Sequence, residues 1–356
     1  KINVLQVIPK LGYGGAETGC YDIAHYLAEK DCGSFIATSG GELLKFVKKN
    51  KVKIFRIPVH SKNPFLILLN IFILSFLIIL KKINIVHARS RAPAWSCYFA
   101  CLLTNTVFVT TFHGTYNFNN KFKKFYNSVM IKSKLTIAGS NFIFSHINDN
   151  YQGYLKEKNK LLVIFRGINL NYYDPKQISD VKLLKLKKEW QVDEDKFKVL
   201  LPGRLTNWKG QINFIESLNI LIEDYKKDNF QAFILGSDQG RNVYKKKLQS
   251  LIDRYNLGKK IIFIDHCKEM PLAYAISDVV ISSSIEPEAF GRVSVEAQAM
   301  QKPIIATNLG GSKETIINNK TGILYKFDDP RELAKNINSF METDKLALNI
   351  MGVEGR

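Results

Sequence analysis

The stretch that decides the fold reads Ser282-Ser-Ser-Ile-Glu286-Pro-Glu288-Ala-Phe290-Gly291-Arg-Val-Ser-Val-Glu296-Ala-Gln-Ala-Met300. The β-branched run from Val279 to Ser282 predicts a buried strand, and Val293 to Met300 predicts a helix, with Pro287 and Gly291 marking the loop between them. A loop that leads from a strand into a helix presents backbone amides to an anion, and the helix dipole favours negative charge there. The stretch therefore predicts a phosphate-binding turn.

Two glutamates flank this turn. Glu296 lies eight residues after Glu288, which corresponds to about 12 Å along an α-helix. That separation roughly spans a nucleotide diphosphate sugar, and carboxylates can accept hydrogen bonds from the hydroxyl groups of its sugar and its ribose. The alternative is a helix-start carboxylate at Glu288 and a solvated one at Glu296.

These features resemble the donor-site signature of the family-4 retaining glycosyltransferases. The resemblance rests on Glu288 and Glu296 with Phe290-Gly291 between them, followed by Lys302-Pro-Ile-Ile-Ala-Thr307 and Gly310-Gly311. It extends over nearly the whole chain and is most like bacterial lipopolysaccharide and envelope-polysaccharide enzymes. It implies an α/β protein of GT-B architecture, in which two Rossmann-like, doubly wound domains face each other across a cleft.

The resemblance also implies how the domains and the substrate are arranged. Residues 1–170 would form the acceptor domain and residues 171–356 the nucleotide-sugar donor domain, with the family's closing C-terminal helices missing. The donor would be a nucleotide-diphosphate sugar from which a hexose-type sugar is transferred with retention of configuration. Glu288 would orient the sugar, Glu296 the ribose, and the amides near Phe290 and Gly291 the phosphate.

A second cationic loop follows the predicted strand that begins at Phe197. Arg204 and Lys209 lie five residues apart in it, and they offer a planar fork and a point charge to a diphosphate. They match the phosphate-binding pair of the family. We expect them to stabilise the charge of the departing diphosphate without a metal ion, and we predict no cofactor.

Three features of the N-terminal half point to ligand binding. Gly14 and Gly15 lie between a predicted strand and a predicted helix, where they either let the backbone approach a ligand or simply form a tight turn. They match the loop that the family uses against the donor phosphate or the acceptor. His113 follows another predicted strand, at the edge where open α/β sheets bind ligands, and the family carries a histidine there near the reacting sugar. Arg89 and Arg91 are acceptor-side candidates or solvated charges.

The segment Phe65 to Leu80 is unusually apolar. Its sixteen residues are interrupted only by Asn70 and Ser75, and as a helix it would measure about 24 Å, short of the roughly 30 Å of a bilayer core. We therefore predict a crossover helix that does not span a membrane. Because such a helix is apolar all round, its outer face either contacts a membrane surface or is buried in protein.

Charge and cysteine content limit the class of protein. The chain has 51 Lys and Arg against 32 Asp and Glu, a formal net charge of +19, which favours an anionic partner. Lysines mixed with aromatic residues from Tyr116 to Lys134 favour a membrane surface over nucleic acid, for which no recognition motif is present. The five cysteines show neither CxxC pairs nor metal-ligand spacing, and we interpret them as reduced core thiols of a cytoplasmic protein.

The sequence thus predicts a glycosyltransferase that acts on a membrane-associated acceptor, such as a lipopolysaccharide core or a glycolipid. The protein would be peripheral on the inner face of the bacterial plasma membrane, with a nucleotide sugar and a lipid-linked or saccharide acceptor as partners. The alternatives are a soluble transferase that makes a small glycoside and a basic nucleic-acid-binding protein.

Overall fold

The computed structural model describes residues 1–155, 160–238, 240 and 242–356. The chain forms two compact units, Lys1–Phe165 and Arg166–Arg356, whereas the sequence placed the boundary after residue 170. Each unit is a parallel sheet with helices in its crossover connections, which confirms the predicted α/β, Rossmann-like fold class.

The first unit contains a seven-stranded parallel sheet in its described residues, in the order β3-β2-β1-β4-β5-β6-β7. The strands are β1 (Asn3–Val7), β2 (Gly33–Thr38), β3 (Val52–Arg56), β4 (Ile85–Ala88), β5 (Val107–Phe112), β6 (Leu135–Ala138) and β7 (Lys160–Val163). The strand order changes direction between β1 and β4, which pair from Val4–Ile85 to Val7–Ala88. In open α/β sheets this switch point is where ligands bind, at the carboxyl edge.

The helices of the first unit lie in the connections between its strands. They are α1 (Gly15–Glu29), α2 (Pro64–Leu80), α3 (Arg91–Thr104), α4 (Lys121–Ser128) and α5 (Asn141–Tyr151). The start of α2 shows why this run folds as a helix: the Asn63 side chain accepts a hydrogen bond from the amide of Phe65, and Pro64 occupies the first turn.

Helix α2 buries one face and exposes the other. It packs against α3 and buries Leu74, Leu77 and Ile78, while Phe72 and Phe76 remain 61% and 65% exposed. The alternative of a helix buried all round is therefore wrong for the isolated chain. None of the helices in the described ranges is both long and apolar enough to cross a bilayer.

The second unit contains a six-stranded parallel sheet in its described residues, in the order β10-β9-β8-β11-β12-β13. The strands are β8 (Phe197–Pro202), β9 (Phe230–Leu235), β10 (Ile261–Ile264), β11 (Val279–Ser282), β12 (Ile304–Thr307) and β13 (Ile323–Tyr325). The helices are α6 (Asp180–Glu189), α7 (Gln211–Glu223), α8 (Asn242–Arg254), α9 (Met270–Ile276), α10 (Arg292–Ala299), α11 (Pro330–Glu342) and α12 (Lys345–Gly355).

Hydrophobic side chains cover both faces of this second sheet. Phe230 and Ile234 of β9 belong to one buried cluster and Phe233 and Leu235 to another, because successive strand residues point to opposite faces. Helices on both sides make every residue of β9 buried. The rigid sheet fixes where the loops at its carboxyl edge begin and end.

Four of the five cysteines are buried, and none forms a disulfide. Cys20, Cys97, Cys101 and Cys267 lie in the interior, and burial raises the pKa of Cys20 to about 12. The prediction of a core thiol is wrong for Cys32, which is partly exposed. The reason is its position in the turn after α1, outside the face that the helix buries.

Candidate functional site

Loops at the carboxyl edge of the second sheet are held to one another by backbone hydrogen bonds. The amide of Ile285 donates to the carbonyl of Trp208 over 2.8 Å, and the amide of Gly311 donates to the carbonyl of Glu288 over 2.7 Å. These bonds join the loops that follow β8, β11 and β12. The positions of their side chains are therefore coupled.

Two glycines allow this close packing. Gly210 has φ +71°, and a Cβ there would lie 1.8 Å from the carbonyl oxygen of Ser283. Gly291 has φ +84°, and a Cβ there would lie 2.7 Å from Cα of Ser312. A side chain at either position would meet backbone in a conformation that only glycine adopts readily. Gly291, which the sequence assigned to phosphate binding, thus also determines the shape of the loop.

A largely buried ion pair lies within these loops. Nζ of Lys209 is 2.7 Å from Oε1 of Glu288, and the two side chains are only 13% and 11% exposed. The hydroxyl of Ser284 donates to the same carboxylate oxygen over 2.6 Å. Burial alone would raise the pKa of Glu288, but the Lys209 charge and the hydrogen bonds from Lys209 and Ser284 lower it. Glu288 is therefore an ionised carboxylate at neutral pH.

Arg204 belongs to the same cluster. Its positive charge also lowers the pKa of Glu288, and its carbonyl accepts a hydrogen bond of 2.8 Å from Nε2 of Gln211. The structure thus brings together three of the predicted site residues, Arg204, Lys209 and Glu288.

Glu296 lies in a separate hydrogen-bonded group on α10. Its carboxylate accepts hydrogen bonds from the Tyr274 hydroxyl over 2.7 Å and from Nε of Arg292 over 2.5 Å, and the residue is buried. Burial alone would lower the pKa of Arg292, but the charge of Glu296 raises it. The alternative of a solvated carboxylate at Glu296 is therefore wrong.

Three residues of this unit's site were not predicted. Arg292 precedes Glu296 by four residues, a helical spacing at which a salt bridge could have been anticipated. Ser284 lies in the same loop as Glu288, four residues earlier. Tyr274 comes from another helix and reaches Glu296 through the tertiary fold, so no local pattern marks it.

The start of α10 fits the predicted anion site. Gly291 is its N-cap in a left-handed conformation, and no side chain caps the helix. Phe290 is buried and lines a small recess with Arg292 and Gly167. An anion at this helix start would meet the positive end of the helix dipole.

The first unit has a cavity of about 400 Å³ beside its switch point. Residues after β1, β3, β4 and β5 line it together with the start of α1; those with polar side chains are Lys10, Glu17, His60, Arg89, Ser90, His113 and Tyr116. His113 therefore lies at a ligand-sized cavity, and its functional role there stays a prediction. Gly14 and Gly15 form the N-cap and first residue of α1, next to the lining residue Ala16.

Arg89 and Arg91 differ sharply in environment. Arg89 is 3% exposed, and its Nη1 donates to Oε1 of Gln6 over 3.1 Å. Arg91 donates to Oδ1 of Asn127 over 2.9 Å, with its guanidinium 4.4 Å from the centre of the Tyr116 ring. The alternative of a solvated charge is wrong for Arg89.

Two family models match the chain, one on each unit. "Glycosyltransferase Family 4" matches residues 13–172, and "Glycosyl transferases group 1" matches residues 184–351. The second match contains Arg204, Lys209, Glu288, Phe290, Gly291 and Glu296. The first contains Gly14, Gly15 and His113.

Known proteins resemble the chain at several levels. The crystal structure of a glycosyltransferase from Rickettsia africae superposes on this chain with a TM-score of 0.88. The two sequences are 39% identical, and the match covers 100% of this chain and 92% of that one. The crystal structure of Anabaena HepE in complex with UDP and glucose has a TM-score of 0.84 and a sequence 22% identical. The match covers 100% of this chain and 94% of that one. The Staphylococcus aureus capsular polysaccharide biosynthesis glycosyltransferase CapM is 27% identical over 57% of this chain and 51% of its own length.

Proposed function

The chain belongs to the group 1 glycosyl transferases, and from this premise we propose that it transfers a sugar from a nucleotide-diphosphate sugar, with retention, to a membrane-associated acceptor. The second unit binds the donor and the first unit binds the acceptor. The roles of the individual residues are part of the proposal.

The observation that carries the proposal is the largely buried pair of Lys209 and Glu288 next to the exposed Arg204. A diphosphate needs cations, and a sugar needs a fixed, ionised hydrogen-bond acceptor for its hydroxyl groups. This cluster offers both at the carboxyl edge of a doubly wound sheet, where such ligands bind. The complex of HepE with UDP and glucose supports a nucleotide sugar as the donor.

In the proposed reaction, the bond between the anomeric carbon and the diphosphate oxygen breaks while a bond to the acceptor oxygen forms on the same face. The leaving phosphate accepts the proton of the acceptor hydroxyl, so that no protein nucleophile is needed. Arg204, Lys209 and the start of α10 stabilise the negative charge on the diphosphate. Glu288 orients the sugar, Glu296 the ribose, and His113 polarises or positions the acceptor.

The membrane-associated acceptor is supported by an exposed apolar surface on the first unit. We define this apolar surface by its exposed side chains on α2, α3 and α4: Phe65, Leu68, Leu69, Phe72, Phe76, Ile79, Leu80, Phe99, Leu102, Leu103, Phe122 and Phe125. Helices α2 and α3 pack together, and Trp95 of α3 contacts Phe125 of α4 with ring centres 5.5 Å apart. The three helices therefore present neighbouring parts of one surface.

Lysines flank the apolar surface. They are Lys62, Lys81 and Lys82 at the ends of α2, and Lys121, Lys123, Lys124 and Lys132 in and after α4. A surface that combines apolar side chains with lysines fits an anionic membrane. This arrangement supports a peripheral protein on the inner face of a bacterial plasma membrane, with a lipopolysaccharide core or a glycolipid as acceptor.

A thermal-shift screen of nucleotide sugars tests the donor. UDP-glucose and its GDP, ADP and CDP counterparts are each added to the full chain, since a ligand that binds only the folded state raises Tm. We expect one donor class to raise Tm in the wild type and to lose that effect in Lys209→Met. If no nucleotide sugar raises Tm, or if Lys209→Met responds like the wild type, the donor proposal is wrong.

Vesicle flotation tests whether the protein binds a membrane. We expect the wild type to float with vesicles that contain phosphatidylglycerol and the double variant Phe72→Ser/Phe76→Ser to stay unbound. Val181→Ser/Leu184→Ser is the matched control, because it removes two exposed apolar side chains of α6 in the second unit. A wild type that stays unbound would instead favour a soluble transferase with a small acceptor.

A further inference from the structure

We propose that the cavity of the first unit recognises its acceptor through an oxyanion, a phosphate or carboxylate group, that binds the guanidinium of Arg89 with Lys10 at the cavity rim. This inference rests on the proposed function, because it specifies the chemical class of the acceptor. Neither the resemblance to the family nor the proposed donor site assigns a role to Arg89 or Lys10.

The buried charge of Arg89 is the first observation. The residue is 3% exposed and lines the cavity, yet no carboxylate of the described ranges lies within 4.0 Å of its guanidinium. Its recorded side-chain partner is the neutral amide oxygen of Gln6, and its Nε has no hydrogen-bond partner in the described part of the chain. A buried cation without a counter-ion is costly, and an anionic ligand would remove that cost.

The scaffold fixes this guanidinium in place. The amide of Arg89 donates to the carbonyl of Val7 over 3.0 Å. Gln6, which is fully buried, donates through Nε2 to the carbonyl of Cys20 over 3.0 Å. Strands β1 and β4 and helix α1 thus hold the side chain at the sheet's switch point. Its planar fork suits the two oxygens of a phosphate or a carboxylate.

The other charged groups near the cavity fit an acceptor that carries both an anion and hydroxyl groups. Lys10 is an exposed cation at the rim. Burial lowers the pKa of Arg89, and the charges of Asp22 and of the cavity-lining Glu17 oppose that shift. Burial lowers the pKa of His87 well below its usual value, so the neighbouring imidazole adds no positive charge at neutral pH.

The size of the cavity agrees with such a ligand. A volume of about 400 Å³ lies in the range of small-molecule sites, roughly 300–1,000 Å³. Glu17 can accept a hydrogen bond from a sugar hydroxyl while Arg89 binds the anion. A sugar that carries one phosphate or carboxylate combines both groups.

Calorimetric titration of the full chain tests the inference. The probes are glucose 6-phosphate, glucuronate and glucose, which share a ring size and differ in the anionic group. We expect both anions to bind at least tenfold more tightly than glucose. Tighter binding of glucose 6-phosphate identifies phosphate as the recognised group, and tighter binding of glucuronate identifies carboxylate. Equal binding of all three probes would overturn the proposal.

Single-residue variants test where the anion binds. Arg89→Gln is expected to weaken binding of the preferred anion at least tenfold, whereas the control Arg56→Gln, an exposed arginine of the same unit, changes it less than twofold. Glu17→Gln should strengthen binding of inorganic phosphate two- to threefold because a repulsive charge is removed. Unchanged binding in Arg89→Gln would show that the charge is structural.

Two further measurements keep the test decisive. If Arg89→Gln does not fold, the exposed Lys10→Gln replaces it, with an expected three- to fivefold weakening, and no change there would overturn the proposal. Binding must also survive in Lys209→Met, which impairs the donor site of the second unit. Loss of anion binding in that variant would assign the anion to the donor site, whereas failure of the donor screen alone would leave the cavity result intact.

Discussion

In the second unit the largely buried cation Lys209 lies 2.7 Å from the Glu288 carboxylate. In the first unit, by contrast, the buried cation Arg89 donates a hydrogen bond to the neutral side-chain amide of Gln6. Both cations lie at the carboxyl edge of a parallel sheet. One is neutralised by the protein itself. The other has no counter-ion in contact among the described residues.

The difference separates two ways of building a binding site. An internal ion pair fixes the geometry of its side chains before any ligand arrives, and a ligand must then share the cation with its partner. A buried charge without a counter-ion reduces the stability of the free protein, and a ligand of opposite charge restores what was lost. We expect mutations in the proposed donor cluster to change catalysis and stability together, and mutations in the cavity of the first unit to change mainly ligand affinity.

The strongest test of this comparison is Glu288→Gln. We expect kcat/KM to fall by about 10³, because the sugar loses its ionised partner, and the free energy of unfolding to fall by about 3 kcal/mol, because Lys209 is left without a counter-ion. The control is Glu286→Gln, an exposed carboxylate two residues earlier. Turnover with the preferred nucleotide sugar and urea unfolding measure the two effects.

Gly291→Ala is expected to have the next largest effect. The positive φ and the backbone of Ser312 leave no room for a Cβ, so we expect a loss of about 2 kcal/mol in the free energy of unfolding. Gly258→Ala is the matched control, because nothing lies within 4 Å of its Cβ position. Similar urea midpoints for the two variants would show that the loops are not rigidly packed.

Glu296→Gln should affect binding more than turnover. We expect the Kd of the nucleotide sugar to rise about tenfold, equivalent to about 1.4 kcal/mol, with kcat nearly unchanged. Calorimetry and initial rates separate the two quantities. Equal and mild losses in Glu288→Gln and Glu296→Gln would contradict the different roles proposed for these carboxylates.

The smallest expected effect is a pH dependence that distinguishes the two units. The folded pKa of His87 lies below its ordinary value of 6.5, so only the unfolded chain gains a proton there, and stability falls as the pH drops below about 6.5. The folded pKa of Glu288 lies below its ordinary value of 4.5. Its contribution is complete above that pH and is lost as the pH falls through the folded pKa.

Urea unfolding between pH 7 and pH 3 measures these slopes. We expect His87→Gln to flatten the fall in stability that begins near the ordinary histidine pKa, and Glu288→Gln to flatten the fall below the ordinary glutamate pKa. Matching pH profiles for the wild type and both variants would show that neither group titrates differently on folding.

Much of the fold could be predicted from the sequence, because buried parallel strands and crossover helices have strong local patterns. The apolar run at α2 and the strand, loop and helix around Glu288 are examples, with bounds that differ from the structure by one or two residues. The direct pairing of Lys209 with Glu288 could not be predicted. These residues are 79 positions apart, and the sequence assigned them to different parts of the donor.

The environment of Arg89 was also beyond the reach of local patterns. An arginine after a strand looks the same in the sequence whether it is solvated or buried, and burial depends on how β1, β4 and α1 pack. The i,i+4 spacing of Arg292 and Glu296 was visible in the sequence and could have predicted their contact. Tyr274 comes from another helix, and its contact with Glu296 depends on tertiary packing alone.

The uneven burial of the cysteines has a practical consequence. Four thiols are buried, while Cys32 is partly exposed in the turn after α1, so a maleimide dye should label the native protein preferentially at Cys32. The opposite end of the same helix lines the cavity of the first unit. The wild-type chain thus carries a natural attachment point for a fluorescent reporter, which needs no cysteine to be removed first.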